Sequence, residues 1–131
     1  MGFYGFLAVG IGAVLGAWLR WWLGLVFNPI FPTLPLGTLA ANLLGGYLIG
    51  VAVAFFTEHA GLPPEGRLFV ITGFMGALTT FSTFSAESVT LISRGEYLWA
   101  AVHVGTHLGG SLFMTGLGLA TFNVLRAKGA A

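Results

Sequence analysis

Gly73-Phe-Met-Gly-Ala-Leu-Thr-Thr-Phe-Ser-Thr-Phe-Ser85 is the stretch that decides what kind of chain this is. It sets glycines, hydroxyls and phenylalanines in the middle of a segment otherwise apolar enough to enter a bilayer, at a depth where polar groups are costly. Around it, 56% of the 131 residues are hydrophobic and only 7% are charged, against roughly 25% charged in an ordinary soluble domain. With a mean hydropathy of +0.92, the composition is that of an integral membrane protein.

Four segments have the length of about 17–25 residues needed to cross a hydrocarbon core. They are Phe3–Phe27, Leu36–Phe56, Gly66–Ser93 and Glu96–Arg126, forming one all-α domain over residues 1–131. Prolines and glycines in the three short connections act as helix stops. The first segment has no basic n-region and exceeds the length of a signal-peptide core, so it is expected to stay as a span. A formal charge of +1 carries no field suited to nucleic acid, and the absence of cysteine excludes disulfides and thiolate chemistry.

Glycine writes the packing. Gly12 and Gly16, Gly46 and Gly50, and Gly105 and Gly109 stand at the small-xxx-small spacing that lets helices approach closely in lipid. Orientation is weakly specified. If the spans alternate, Arg67, Arg126 and Lys128 oppose Arg20 and Arg94, which is almost no positive-inside bias. Dual topology follows as an expectation, and with it an antiparallel homodimer using the same patch on both subunits.

Polar residues at membrane depth mark where chemistry is to be sought. Between Thr79 and Thr90, eight of twelve positions are polar, including Ser82, Thr83, Ser85 and Glu87. Gly73 and Gly76 precede the β-branched pair Thr79 and Thr80, a poor helix interior that predicts a break. The carbonyls freed there suit a hard cation such as Na⁺. Thr38 and Asn42 share one face of the second span, where the Asn amide is suited either to brief anion coordination or to an interhelical bond. Arg20 has two readings, snorkelling to the interface or an anion-attracting vestibule.

Phe81, Phe84 and Ser88 share a face, as core residues or as rings whose electropositive edges meet an anion. Glu87 is read either as a structural hydrogen-bonding carboxyl or as a protonated one. In the fourth span, His103, His107, Ser111 and Thr115 form a polar stripe. With no carboxylate nearby in the chain, packing of the histidines against Asn42 or Glu87 is favoured over a metal.

At these residues the sequence resembles the Fluc fluoride-channel family, also called CrcB. The resemblance is carried by Gly10-Ile-Gly-Ala-Val-Leu-Gly-Ala-Trp-Leu-Arg20-Trp, by Gly37-Thr-Leu-Ala-Ala-Asn42-Leu-Leu-Gly-Gly-Tyr-Leu-Ile-Gly50, and by Gly73 to Glu87. It implies an antiparallel, dual-topology homodimer in the prokaryotic plasma (inner) membrane. Two pores would export F⁻ passively to relieve its toxicity, around a central structural Na⁺. By motif, the cation carbonyls would be Gly76 and Thr79, and the phenyl pair Phe81 and Phe84. Asn42 would be the donor, and Ser82 and Thr83 the polar track, with Arg20 and Glu87 nearer the entrances. Thr38 and Ser111 join the fluoride pathway by position alone. Ala77, Ala41, Gly46 and Tyr47 depart from the family pattern without removing a ligand.

The alternative is a small dual-topology drug/proton antiporter with Glu87 as its titrating carboxylate. An enzyme is not expected, because the residues assemble no nucleophile–base pair.

Overall fold

The computed structural model describes residues 2–130, whose regular secondary structure is all helical, joined by short turns. Helix α1 runs Phe3–Phe27 and α2 runs Leu36–Glu58. The third span has two halves. Its first half, α3, begins with Pro64–Arg67, continues as a π-helix over Leu68–Met75 and closes with Gly76–Leu78. Its second half, α4, is Phe81–Ser93, and α5 is Tyr97–Ala130. Among the described residues, four spans are long and apolar enough to cross a membrane, at Phe3–Ile30, Leu36–Glu58, Pro64–Ser93 and Tyr97–Gly129. Their limits differ from those of the expected segments by no more than three residues, the fourth starting and ending slightly later.

Local chemistry explains the boundaries. Pro35 caps α2, and Pro64 opens α3 at a position where a missing N–H is harmless. Asn28 reaches across the first connection, its Oδ1 accepting from the N–H groups of Gly37 at 2.7 Å and Thr38 at 3.2 Å. Those are orphan donors of the first turn of α2. Helix α4 ends on Gly95 at φ +76, with Gly95 N–H donating to Ile92 and Glu96 N–H to Leu91. That paired closure needs a residue that tolerates a left-handed backbone.

Glycines set which helices touch. A Cβ on Gly12 or Gly16 would overlap the backbone carbonyl of Phe69 or Phe74, so α1 and the π-helical turn meet backbone to backbone. Gly50 and Gly118 do the same between α2 and α5. The pair Gly105 and Gly109 behaves otherwise: both are exposed and meet nothing within the chain. Leu23, Ala41, Met75 and Leu78 form the small core between α1, α2 and α3. Much of the remaining apolar surface is exposed, including Phe6, Trp18, Leu112 and Phe113, as expected of a face turned to lipid or to another chain.

Candidate functional site

The break predicted from the Gly and Thr residues is present. Thr79 (φ −85, ψ 152) and Thr80 (φ −147, ψ 118) are extended, separating the two halves of the third span. Thr80 caps α4 by accepting from Thr83 N–H through its side chain. Its hydroxyl also lies 3.1 Å from Thr83 Oγ1 and 3.4 Å from Ser82 Oγ, forming a small hydroxyl cluster.

Breaking a helix inside a membrane frees backbone groups that must find partners. Asn42 of α2 supplies them for Thr80. Its Oδ1 accepts from Thr80 N–H at 2.8 Å, and its amide donates to Thr80 carbonyl at 3.0 Å. The same amide nitrogen lies 3.0 Å from His107 Nδ1. Because the two bonds to Thr80 fix which end of the amide is nitrogen, His107 Nδ1 is the acceptor. Both N–H donors of Asn42 are therefore committed.

The break takes helical partners from several carbonyls, Gly76 and Thr79 among them. Thr80 N–H, which would reach back to Gly76, goes to Asn42, and Thr83 N–H, which would reach back to Thr79, goes to the Thr80 hydroxyl. The Ala77 carbonyl accepts from Arg20 Nε at 3.0 Å. Arg20 thus docks on the break itself, a contact that simple snorkelling to the interface does not need. It also lines a small cavity of about 290 Å³ together with Asn28, Thr38, Thr80 and Thr83.

A larger open cleft of about 450 Å³ also borders the break. Asn42, Thr79, Thr80, Phe84, His107 and Ser111 contribute to it, with Phe81 at its edge and 73% exposed. Phe84 is buried and meets Phe81 edge-on, with ring centres 5.5 Å apart at 63°. It also lies against His103 at 5.5 Å and His107 at 4.8 Å.

Below Phe84 the polar residues of three helices converge. Thr38 Oγ1 donates to Glu87 Oε2 at 2.7 Å, and Glu87 Oε1 lies 3.3 Å from His103 Nε2. The preference for packing the histidines against Asn42 and Glu87 is thereby met, one histidine with each. Glu87 is half-buried beside His103, and Thr38 holds its carboxylate.

Apart from Ser85, the hydroxyls of the third span between Thr79 and Thr90 fall into two sets, and Ser111 and Thr115 of the fourth span divide likewise. Thr79, Ser88 and Thr90 bond carbonyls of their own helix turn at Met75, Phe84 and Ala86, a local satisfaction that needs no pathway. Thr80, Ser82 and Thr83 make the cluster at the break, and Ser111 lines the larger cleft. Thr115 is drawn instead into packing, donating to the carbonyl of Gly46 on α2 at 2.9 Å. Sequence reasoning placed Thr80 at the break but missed its bonds to Asn42 and its capping of α4, and it missed Asn28 altogether. The signals available were an Asn just before a proline-rich connection and the second of two threonines that follow a glycine-rich run.

Fold and site together define a four-span membrane protein whose third helix is broken at mid-membrane, with an amide, hydroxyls, freed carbonyls and aromatic rings gathered around the break. A protein-family model described as CrcB-like protein, Camphor Resistance (CrcB), matches residues 7–119. The chain is 65% identical over 121 residues to a protein of Nitrosospira multiformis named fluoride-specific ion channel FluC, covering 92% of this chain and 94% of that one. Proteins with the same name from Cupriavidus taiwanensis and Thiobacillus denitrificans are 63% and 60% identical, covering 95% and 92% of this chain and 99% and 98% of theirs. The chain belongs to the CrcB family.

Proposed function

We propose that this chain is a fluoride channel, passing F⁻ down its electrochemical gradient as an antiparallel homodimer with two pores. The observation that carries the reading is the open cleft at the break, where polar groups and phenyl rings share one wall in a chain so similar to named fluoride channels. In a single chain that wall is exposed at Phe81, so a second copy is the natural cover. The same names leave drug/proton exchange without support.

The physical task is to replace the water around a small, strongly hydrated anion. A pore lysine would hold it too tightly, whereas conduction needs sites that release as readily as they bind. Hydroxyls of Ser82, Thr83 and Ser111, the Asn42 amide and the electropositive edges of Phe81 and Phe84 provide neutral contacts of graded strength. Asn42 serves the path by exchanging its bond to His107 for one to the anion, since its bonds to Thr80 hold the break together. Arg20 raises the local anion concentration at the smaller cavity.

The donor set at the break fits Na⁺. Gly76 and Thr79 carbonyls, whose α-helical donors have gone to Asn42 and to the Thr80 hydroxyl, are hard oxygen ligands of the kind this ion takes. Bound there, Na⁺ would supply fixed positive charge beside the anion path. Two copies of the chain would share it, each presenting the same two carbonyls.

The decisive measurement is fluoride-electrode efflux from liposomes holding the purified protein, with and without a cation ionophore to collapse the membrane potential. Release that requires the ionophore is the expected result. Absence of release from correctly assembled protein would overturn the reading.

A further inference from the structure

We propose that Glu87, His103 and His107 form a binding site for a divalent transition-metal cation of the Zn²⁺ or Co²⁺ type. One metal-ligating atom from each of the three lies within 4.8 Å of the other two. His103 and His107 are only 1% and 3% exposed. Glu87 Oε1, His103 Nε2 and His107 Nε2 are all buried, and each has no hydrogen-bond partner among the described residues.

Leaving one such group unsatisfied in an apolar interior costs about 1–3 kcal/mol, and more for charged groups. A proton shared between Glu87 and His103 across their 3.3 Å gap would satisfy two of the three atoms. It would leave His107 Nε2 unanswered. A cation engaging all three residues answers every one.

The donor chemistry narrows the ion. Two imidazoles and one carboxylate form the three-ligand set that binds Zn²⁺ with a fourth position open. Mg²⁺ and Ca²⁺ prefer oxygen alone. Helix spacing brings the two histidines to one face of α5, one turn apart, and the break swings α4 so that Glu87 meets them. Thr38 on α2 holds the other carboxylate oxygen at 2.7 Å, an outer hydrogen bond that aims Oε1 at the cluster.

One contact resists the metal. His107 Nδ1 accepts from Asn42, so the neutral ring carries its hydrogen on Nε2. A metal on Nε2 displaces that hydrogen to Nδ1, where it faces the Asn42 N–H donor. Metal binding and the Asn42–His107 bond therefore exclude each other.

The test uses the full, tag-free chain in detergent, stripped with chelator and titrated with Co²⁺, followed by competition with Zn²⁺. Expected are the intense visible bands of four-coordinate Co²⁺ at one ion per chain, bleached by Zn²⁺. Affinity should fall on the order of 100-fold or more in His107→Ala and in Glu87→Gln. Exposed His59 supplies the control. Affinity that falls in His59→Ala, or that is unchanged in His107→Ala, overturns the proposal. If a cluster variant fails to fold, the wild-type titration decides, because missing four-coordinate bands overturn it alone. The readout is metal binding and does not depend on fluoride transport, so the two readings can fail separately.

Discussion

Asn42 grips Thr80 by both of its backbone polar groups, accepting from the N–H at 2.8 Å and donating to the carbonyl at 3.0 Å. One side chain on α2 thus stands in for the helical hydrogen bonds that the third span gives up at its break. Asn42→Ala should expose both groups to an apolar surrounding, at about 1–3 kcal/mol each. A lower thermal midpoint in detergent, followed by circular dichroism, is expected together with loss of fluoride efflux. An unchanged midpoint would mean that the break is held by other contacts.

Gly16 stands where a Cβ would overlap the Phe74 carbonyl, and nothing flexible lies there to move aside. Gly16→Ala should separate α1 from the π-helical turn and destabilise the protein by about 1–3 kcal/mol, in the range of overpacked cores. Gly10→Ala, on the same helix but facing open space, should leave the midpoint unchanged. Equal effects of the two would contradict the backbone contact described for α1.

Phe81 and Phe84 touch edge to face, yet the first is 73% exposed and the second is buried against two imidazoles. Phe84→Ile should therefore lower stability modestly, whereas Phe81→Ile should not change the stability of the single chain. Both should cut fluoride efflux on the order of tenfold or more, a barrier increase of about 1.4 kcal/mol. Undiminished flux in Phe84→Ile would remove ring edges from the mechanism.

These contrasts show where sequence is informative. Span number and approximate limits follow from hydropathy, and the break follows from Gly73, Gly76, Thr79 and Thr80, because both are local properties of the chain. Arg20 reads as a residue near a span end until its Nε is seen on the Ala77 carbonyl, a partner that no count along the helix can supply. Glu87 joins His103 and His107 only because the break sets the rotation of α4 against α5. The π-helical turn at Leu68–Met75 has no residue signature either, and its carbonyls rest directly on the glycines of α1. The spacing that made Gly105 and Gly109 a pair is real, but within the chain it is Gly118 that meets Gly50.

Gly76 and Thr79 carbonyls give the last test, because their proposed occupant can be withdrawn without mutation. A ligand that binds the folded assembly but not the unfolded chain stabilises it by about 2.7 kcal/mol when present at 100 times its dissociation constant. Protein purified and dialysed into a bulky organic cation should therefore melt at a lower temperature than in Na⁺, and titrating Na⁺ back should raise the midpoint in a saturable way. K⁺ should restore less, since it is larger and the carbonyls are fixed by helix ends, by Arg20 on Ala77 and by Asn42 on Thr80. If the midpoint follows total ionic strength and ignores the identity of the cation, the carbonyls at the break are satisfied by water or by the second chain, and Na⁺ has no structural role there.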